Sequence, residues 1–315
     1  MALPASGKMS LGSNVNVELG NPASTLISLG QASVRSLYGV ASGAIRLAAD
    51  GYGKSGVIAF SCATYTTAGS YTFTVPSGVS KISVVCVGGG GGAGGYCSDA
   101  GIGYGGSTNG AYLSYTNCIP VTAGENLTVV VGNSGVGGCG NGMAPWQGTS
   151  GGNSYISRGG TTLIQAKGSV GGGSSPPAGC NVGAVTYTGG TMADHRGGGA
   201  AGYAGNGGNA GSAAPPGGGG GGGAGPYGSG HNYSGGGGGG VGLIVQGPSG
   251  GTGVSSADRG GRGGSGGANG IGQSGGSYGG GAGDHTDSSG GNGGSGGLRI
   301  IYGGTGKSYP NNSAP

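Results

Sequence analysis

Hydrophobic and polar residues alternate over several short stretches of this chain, with the period of two that is typical of β-strands. In SYTFTV, the side chains of Tyr71, Phe73 and Val75 fall on one face of the predicted strand. The turn residues Pro76-Ser77-Gly78 follow, and then VSKISVVCV alternates again. This pattern predicts a β-hairpin with one buried face.

The same alternation predicts further strands along the chain. They are 111–116 (AYLSYT), 127–131 (LTVVV), 153–157 (NSYIS), 161–166 (TTLIQA) and 298–302 (LRIIY). About seven short strands indicate an all-β protein built as a β-sandwich. The last strand follows a long glycine-rich region. If it rejoins the sheet, that region is a set of insertions whose ends the sandwich holds, which lowers the entropy cost of ordering them.

Glycine accounts for 95 of the 315 residues, while the formal net charge is only +4 and 16 tyrosines are spread along the chain. GGRGGSGGA at 260–268 and GGNGGSGGL at 290–298 repeat with a period of three. That period matches an extended helix with three residues per turn and a rise of ~3.1 Å. Backbones without side chains can pack closely and hydrogen-bond to their neighbours. We therefore expect polyglycine II insertions, with the seven consecutive glycines at 217–223 packed among them; flexible glycine loops are the alternative.

The first 56 residues contain an internal repeat, because triplets of an apolar residue, a polar residue and leucine begin at residues 9, 27 and 45. Units of 18 residues are too small to bury a core alone, so this segment is predicted to be an attachment module. A small cap on the next domain is the alternative. The predicted organisation is a module at 1–56, a glycine-rich β-sandwich at 57–303 and a flexible tail at 304–315. The candidate attachment residues are Leu11, Val17, Leu29, Leu37 and Leu47.

Charge and cysteine spacing exclude several classes of protein. The 12 basic and 8 acidic residues form no basic cluster, so nucleic-acid binding is not expected. The sequence contains no run of 18 apolar residues, so membrane insertion is not expected. The six cysteines lack metal-site spacing, and we expect no metal and no cofactor. They are predicted to be buried or loop thiols, or to include a late disulfide of Cys97 with Cys118 or Cys139.

Two histidines directly follow aspartates, in Asp194-His195 and Asp284-His285. Neighbouring side chains point in different directions in an extended chain, so these dipeptides do not predict a catalytic dyad. A nucleophile, an oriented base and an oxyanion donor cannot be assembled from the sequence. We therefore expect that the protein is not an enzyme.

Aromatic side chains in glycine or proline contexts are candidates for recognition. They occur where no strand is predicted, in GMAPWQG and GPYGSGHNYSG among others. Rigid aromatic rings beside Asn and Ser are typical of loops that contact sugars or proteins. The alternative is that these rings cap the ends of the glycine bundle. The candidate receptor-binding residues are Trp146, Tyr227, His231, Tyr233 and Tyr278.

Two stretches of sequence resemble parts of bacteriophage proteins. MALPASGKMSLGSNVNVELG, with the later SLYGVASGAIRLAADGYGKS, resembles an N-terminal module of tailed-bacteriophage virion proteins. SYTFTVPSGVSKISVVCVGGGGGAGG, with the closing GGSGGLRIIYGG, resembles a glycine-rich β domain of phage tail-fibre and related proteins. The glycine-rich insertions are also similar to the distal adhesins of T-even-like phages, whose specificity loops emerge from polyglycine helices. This chain departs from those adhesins in carrying the N-terminal module.

The resemblance implies a structural protein of the virion, most simply a tail-fibre or receptor-binding protein that displays loops to a bacterial surface. Its partners would be other phage tail or baseplate proteins, and host surface polysaccharide or an outer-membrane protein. Homo-oligomers are common among fibre proteins. The alternative is a purely structural virion component of the baseplate, neck or head decoration. A polysaccharide-degrading enzyme is disfavoured because Asp and Glu total eight and paired carboxylates are not evident.

Overall fold

The structure is a computed structural model, and it describes most of the chain beyond residue 60. The described residues are 15–16, 19–21, 31–38, 60–97, 102–103, 106–139, 147–172, 181–193, 195–210, 236–251, 261–271, 273–284, 289–303 and 308–310. Within them the elements are α1 (Ala32–Tyr38), β1 (Ser61–Tyr65), β2 (Gly69–Thr74), β3 (Lys81–Val87), β4 (Tyr96–Cys97), β5 (Ile102–Gly103), β6 (Leu113–Pro120), β7 (Asn126–Val131), β8 (Ser154–Arg158), β9 (Thr161–Ala166), β10 (Val185–Tyr187) and β11 (Gly297–Tyr302).

The larger strands form two antiparallel sheets that face each other. The first sheet has the order β1-β11-β3-β6-β10, and the second has the order β2-β7-β8-β9. β4 and β5 form a separate two-stranded hairpin. The prediction of an all-β sandwich is confirmed. The prediction that the last strand rejoins the sheet is also confirmed, because β11 lies between β1 and β3 with antiparallel pairing to both.

Side chains from both sheets meet in one hydrophobic core. Phe73 and Val75 are buried in it, and Tyr71 packs against its margin, so the predicted apolar face of β2 is confirmed. The buried members are Phe73, Val75, Val79, Ile82, Val84, Cys86, Ile119, Val121, Leu127, Val129, Val131, Ile156, Ile164, Ala166, Leu298 and Ile300. Burial of apolar side chains on this scale is the main source of stability in the sandwich.

The predicted hairpin of β2 with β3 is wrong, since the two strands belong to different sheets. β2 pairs with β7, and the pairing continues past the strand end, where the N–H of Val75 donates to the carbonyl of Glu125 at 2.8 Å. Val75 and Val79 flank the turn at 76–78, and both side chains are buried. The turn therefore carries the chain across the core from one sheet to the other.

β3 is buried on both faces, whereas the alternation predicted one buried face. Val84 and Cys86 point into the core between the sheets, and Val85 and Val87 lie in a second hydrophobic cluster. The second cluster contains Val85, Val87, Leu113, Tyr115, Ala200, Ala201, Tyr203, Val241, Leu243, Ile301 and Tyr309. Its members from 200–203 and 241–243 show that the glycine-rich region covers the outer face of the first sheet.

The segment 308–310 packs on the domain, so the prediction of a flexible tail is wrong for these three residues. The amide of Asn117 donates to the carbonyl of Tyr309 at 2.8 Å and accepts from its N–H at 2.9 Å. The ring of Tyr309 stacks on Tyr203 with centroids 6.0 Å apart. Burial raises the pKa of Tyr309 well above its ordinary value. The folded domain therefore extends beyond residue 303.

Little of the predicted attachment module lies within the described residues. α1 buries Val34, Leu37 and Tyr38, which places apolar residues three and four apart on one side of the helix. Most of the 18-residue repeat lies outside the described residues, and the division at residue 56 stays a prediction. No described helix has the length and apolar character needed to cross a membrane.

The glycine-rich segments between the strands form a second, differently built structure, which we call the glycine bundle. Its described segments are 88–95, 106–112, 132–139, 147–153, 167–172, 188–193, 195–203, 205–210, 236–242, 248–251, 261–264, 267–271, 273–276, 279–284 and 289–296. These segments carry no regular strand pairing, yet their backbones are hydrogen-bonded to one another throughout.

The hydrogen bonds of the bundle repeat every three residues, as predicted for polyglycine II. The segment 88–95 shows the pattern. The N–H of Gly89 donates to the carbonyl of Gly152 at 2.9 Å, and the next bond to that neighbour comes three residues later, from Gly92 to Thr149 at 3.0 Å. Partner numbers fall as the donor numbers rise, so the two segments are antiparallel.

The segment 88–95 has six hydrogen-bonded neighbours. Toward 291–294 the same step of three recurs. In the other direction, 135–138 and 169–172 donate to it with rising numbers and are therefore parallel. The six neighbouring segments are 106–112, 132–139, 147–153, 167–172, 279–284 and 289–296. Six neighbours around one threefold helix require a hexagonal arrangement, which only residues without side chains on the inner faces allow.

The contact between backbones explains why these positions are glycine. A Cβ atom added to Gly90 would lie 1.9 Å from the carbonyl oxygen of Gly280, and one added to Gly198 would lie 2.0 Å from that of Gly190. Neither neighbour can retreat, because each is itself a hydrogen-bonded backbone. The run 217–223, for which packing was predicted, lies outside the described residues.

At the rim of the bundle, asparagine side chains accept hydrogen bonds from backbone N–H groups. Asn206 and Asn209, three residues apart, accept through Oδ1 from the N–H groups of Thr188 at 3.0 Å and Thr191 at 2.8 Å. The same role is filled by Asn109, Asn153, Asn181, Asn269 and Asn292. Each amide oxygen takes the place that a backbone carbonyl has in the interior.

Candidate functional site

The directions of the glycine segments give the domain two ends. The segment 88–95 leaves β3 and runs away from the sandwich, and the segment 106–112 returns to β6. The other bundle segments are hydrogen-bonded, directly or through neighbours, in parallel or antiparallel to these two segments, and this pattern gives the direction of each. Those running away from the sandwich are 88–95, 132–139, 167–172, 188–193, 205–210, 248–251, 267–271 and 279–284. We call the end that they reach the distal end.

The opposite end of the sandwich, which we call the proximal end, carries short connections. It includes the turns at 76–78, 121–125 and 159–160. β1 begins here, since Ser61 pairs with Tyr302, the last residue of β11. The chain therefore enters the domain at the proximal end, which is the end farthest from the distal turns.

Two described turns and one described hairpin lie at the distal end. One turn is closed by the bridge of Ala193 with Arg196, and the other by the bridge of Ile271 with Ser274. The hairpin is β4–β5. Met192 is 47% exposed and Ile271 is 79% exposed, so both turns present an apolar side chain to solvent.

The clearest side-chain pair at the distal end joins His195 to Asp284. The Nδ1 atom of His195 lies 2.8 Å from Oδ1 of Asp284, and the N–H of Asp284 donates to the carbonyl of His195 at 3.0 Å. Asp284 is almost fully buried, while the His195 side chain is 39% exposed. The backbone of His195 has φ of 66°, a left-handed conformation that is uncommon outside glycine.

This pair ties the turn at 193–196 to the outward segment 279–284. A buried carboxylate that bonds one imidazole nitrogen fixes the orientation of the ring. The same turn bonds to its neighbours through the backbone, so the imidazole is held on a rigid support. Sequence reasoning considered Asp194-His195 and Asp284-His285 as neighbours and missed this pairing, because the two partners are 89 residues apart.

Four of the five predicted receptor-binding residues lie outside the described residues, namely Trp146, Tyr227, His231 and Tyr233. The described segments before and after these residues show at which end of the bundle the chain leaves and re-enters the described structure. Trp146 falls between the outward segment 132–139 and the inward segment 147–153, and the other three fall between the outward segment 205–210 and the inward segment 236–242. The described segments that flank them therefore end at the distal end. Receptor contact by these residues stays a prediction.

The fifth residue, Tyr278, lies within the domain. It is partly buried and packs against the second hydrophobic cluster. Burial raises the pKa of Tyr278, and a hydrogen bond with Thr66 acts in the opposite direction. Its surroundings match the alternative in which aromatic rings close an end of the glycine bundle, here the end next to the sandwich.

The predicted attachment residues Leu11, Val17, Leu29 and Leu47 lie outside the described residues. Leu37 is on α1, with 7% of its surface exposed. A role for these five leucine and valine side chains in attachment stays a prediction.

Four cysteines have described side chains, and all four carry free thiols. Cys86 is fully buried, and burial raises the pKa of its thiol well above the ordinary value. Cys62 is half-buried, whereas Cys118 and Cys139 are exposed. Cys118 lies on β6, and Cys139 lies at the distal end of segment 132–139.

An open cavity of about 400 Å³ lies at the proximal end. It is lined by Pro120, Val121, Thr122, Glu125 and Arg158. The guanidinium of Arg158 binds the Glu125 carboxylate and donates to the carbonyl of Pro120 at 2.6 Å. The N–H of Thr122, which donates to Glu125 at 2.9 Å, lowers the pKa of that carboxyl group, and Arg158 lowers it further.

Among the described residues, no group of three or more His, Cys, Asp or Glu side chains could hold a metal ion. Within the described residues, the two distal turns present the fixed imidazole of His195 and the exposed apolar side chains of Met192 and Ile271 on a hydrogen-bonded backbone. Such a surface is suited to contact with another molecule.

Comparison with protein families places a glycine-rich domain over residues 66–303. The matched region begins just after β1 and ends just after β11, so it includes both sheets except β1 and the whole described glycine bundle. The comparison with curated proteins finds no match for this chain.

Proposed function

The chain belongs to the glycine-rich domain family, and from this premise we propose that it is a structural protein of a tailed-bacteriophage virion. Specifically, we propose a tail-fibre or receptor-binding protein that is anchored through residues 1–56 and presents the distal end to the host surface. The observation that carries the proposal is the separation of the two ends. The chain enters at the proximal end, and the outward glycine segments finish at the distal end.

An anchored display protein needs its contact surface far from its anchor. The threefold bundle meets this need, because its outward segments are braced by backbone hydrogen bonds to neighbouring segments. Ordered supports reduce the entropy that a recognition surface loses on binding. The sequence resemblance of residues 1–56 to a virion module supplies the other half of the proposal.

The partners follow from this arrangement. Other tail or baseplate proteins would hold residues 1–56, and a host surface polysaccharide or an outer-membrane protein would meet the distal end. The protein would act as part of the virion, as a homo-oligomer, without a cofactor, without enzymatic activity, and without binding nucleic acid or entering a membrane.

Two exposed isoleucines allow a matched test. Ile271 lies in a distal turn, and Ile244 lies in a turn beside the first sheet, where Arg299 donates to its carbonyl at 3.0 Å. They are 79% and 48% exposed, so an aspartate is tolerated at either without loss of core packing. The full chain, fluorescently labelled, is applied to cells of the host on which the phage is grown. Ile271→Asp should lower cell binding several-fold, and Ile244→Asp should leave it unchanged.

Trp146→Ala extends the test to a predicted contact residue, with the expectation of at least a tenfold loss, as for an aromatic anchor at an interface. Equal binding by all variants, with binding by the unmodified chain, would locate the receptor surface elsewhere. Complete lack of binding by the unmodified chain would contradict the receptor-binding role itself.

Attachment is tested separately by deleting residues 1–55. The remaining β domain should stay folded, since the described cores contain no residue before 60. It should no longer enter particles during assembly. Loss of folding in the shortened protein, measured by circular dichroism, would contradict the predicted division into module and domain.

A purely structural role in the baseplate, neck or head decoration is the second candidate. The open cavity beside Arg158 and Glu125 favours it, because this cavity lies at the end where the chain enters and could receive a side chain of a neighbouring virion protein. In that case, Arg158→Ala would reduce incorporation into particles, and the distal substitutions would affect neither incorporation nor cell binding.

A further inference from the structure

We propose that two copies of this chain associate through strand β2, so that the sheet β2-β7-β8-β9 of one copy continues into the same sheet of the other. The two β2 strands lie antiparallel, related by a twofold axis that passes beside Thr72. The proposal rests on the open edge of one sheet and holds whether or not the protein belongs to a virion.

The hydrogen bonds from β2 to β7 use every second residue of β2. The N–H of Val75 donates to the carbonyl of Glu125 at 2.8 Å, and the carbonyl of Val75 accepts from the N–H of Gly124 at 2.9 Å. Hydrogen-bonded pairs alternate along an antiparallel ladder, so the odd-numbered residues of β2 direct their N–H and carbonyl groups to β7. The even-numbered residues direct theirs the opposite way. They are Ser70, Thr72 and Thr74.

The outward backbone groups of these three residues are open. β2 is the first strand in the order of its sheet and has a neighbour on one side only. Within the described part of the chain, no backbone hydrogen bond reaches the outward N–H or carbonyl groups of Ser70, Thr72 and Thr74, and all three residues are exposed. A row of unpaired strand groups is a template for pairing with another strand.

The other edges of the two sheets are shorter or covered. On β9, Gln165 exchanges two backbone hydrogen bonds with Val182. β10 has three residues and β1 has five. β2 has six residues, and its pairing with β7 includes all of them without a register shift. Among the described strands of the two sheets, β2 therefore offers the longest open edge.

β2 also lacks the features that prevent pairing at a sheet edge. Proteins commonly place charged side chains, prolines or bulges on such edges. No charged residue lies between Lys54 and Lys81, and the first proline after β2 is Pro76, beyond the end of the strand. Thr72 and Thr74 are β-branched, and such residues are favoured in strands. The edge is therefore suited to accept another strand.

A second copy of β2 fits this edge in one register. With Thr72 opposite its own copy, Ser70 lies opposite Thr74, and every outward N–H and carbonyl group of both strands is paired. A shift of one residue would place outward groups opposite inward ones, and a shift of two would leave one outward residue of each strand unpaired. The facing side chains form Thr–Thr and Ser–Thr pairs, which stabilise antiparallel strands and carry no charge.

An aromatic ring adds apolar area to this contact. The rings of Tyr65 and Tyr71 lie at the margin of the core, both partly buried, with centroids 5.1 Å apart. In the proposed register Tyr71 lies opposite Phe73 of the second copy, on the inner face of the extended sheet. The second strand would therefore cover the part of the Tyr71 ring that is exposed in a single copy.

Sedimentation velocity of the full chain over a range of concentrations tests the proposal. The unmodified chain should dimerise. Thr72→Lys should raise the dissociation constant of the dimer by about tenfold or more, because two ammonium groups would lie directly opposite each other. Thr128→Lys is the matched control, since Thr128 is exposed beside Thr72 on the neighbouring strand β7, away from the edge. It should leave the dissociation constant unchanged.

A charge exchange makes the result decisive. Thr72→Glu alone should weaken the dimer as Thr72→Lys does, whereas an equimolar mixture of the two variants should restore it, because opposite charges then face each other. This restoration also shows that both variants are folded. A monomer at every concentration, an association that Thr72→Lys leaves unchanged, an equal loss for Thr128→Lys, or a mixture that stays dissociated would overturn the proposal.

Discussion

The sandwich and the glycine bundle pack their chain segments by opposite means. In the sandwich, apolar side chains such as Ile156 and Ile300 from the inner faces of the two sheets interdigitate and fill the space between them. In the bundle, the space between segments is closed by the backbones themselves, and the only atoms between Gly90 and Gly280 are those of the main chain.

The two modes of packing predict which amino-acid substitutions each region tolerates. A sandwich core keeps its structure when one apolar side chain is exchanged for another of similar volume, since neighbouring rotamers adjust. At the glycine contacts of the bundle, backbone touches backbone with no rotamer to adjust, and the carbonyls of Gly190 and Gly280 are held by hydrogen bonds of their own. We therefore expect the sandwich to tolerate moderate changes and these glycine positions to tolerate none, while the exposed rim and the turns vary freely.

The largest expected effect comes from Gly90→Ala. The added methyl would lie 1.9 Å from the carbonyl oxygen of Gly280, and the loss of stability should be about 3 kcal/mol or more, because the collision is with backbone. Denaturant unfolding of the full chain measures the change. Gly251→Ala is the matched control, since nothing lies within 4 Å of its added methyl, and its stability should change by less than about 0.5 kcal/mol.

Equal stability of these two glycine variants would break the comparison, because it would mean that the bundle has space for side chains. A drop for Gly251→Ala alone would have the same consequence.

A moderate effect is expected from Ile300→Val in the sandwich. Ile300 is fully buried on β11, and removal of one methylene group there should cost about 1 kcal/mol. The same denaturant series measures it. A loss larger than that of Gly90→Ala would reverse the order of tolerance that the two packing modes predict.

A smaller effect is expected from Asn206→Ala at the rim of the bundle. The substitution removes the acceptor of the Thr188 N–H group, and because the site is exposed, water can replace it. The loss should be about 0.5–1 kcal/mol. Asn206→Asp keeps an acceptor oxygen in the same place and should restore most of the stability; a thermal shift for both variants decides whether the side chain or its oxygen matters.

The smallest effect concerns pH and the proximal end. The folded-state pKa of Glu125 is lowered, first by the N–H of Thr122 and then by Arg158, from an ordinary value of 4.5. A lowered pKa stabilises the folded protein above the unfolded value and loses that contribution as the pH falls through the folded value. The temperature of the thermal unfolding midpoint should therefore decrease slightly as the pH is lowered below 4.5. Glu125→Gln should make this part of the pH profile flatter. An unchanged profile would contradict the assignment.

The sequence was informative where local pattern decides structure. Alternation identified the strands at Thr161–Ala166 and Asn126–Val131 closely, and the GGX period gave the step of three in the bundle. It missed β1 (SCATY) and β10 (VTY), because both are edge strands with few large apolar residues. Their place depends on pairing with β11 and β6, which are distant in sequence.

The errors have one common cause. The turn at 76–78 has hairpin residues, and only the burial of Val79 on its far side reveals that it crosses between sheets. Likewise, the burial of Val85 depends on segments more than a hundred residues away. At the candidate site, the pairing of His195 with Asp284 depends on which glycine segments are neighbours, and a glycine repeat contains no information about its partner.

The step of three has a consequence for how such domains change length during evolution. Insertion of three residues into an outward segment, and three into its returning partner, leaves every remaining carbonyl facing the same neighbour. The turn between them would move outward by about 9 Å, since three residues rise ~3.1 Å each. Insertions of one or two residues would rotate all following groups away from their partners. The glycine segments of related domains should therefore differ in length by multiples of three residues. The turns between these segments are free to diverge in sequence at each new length.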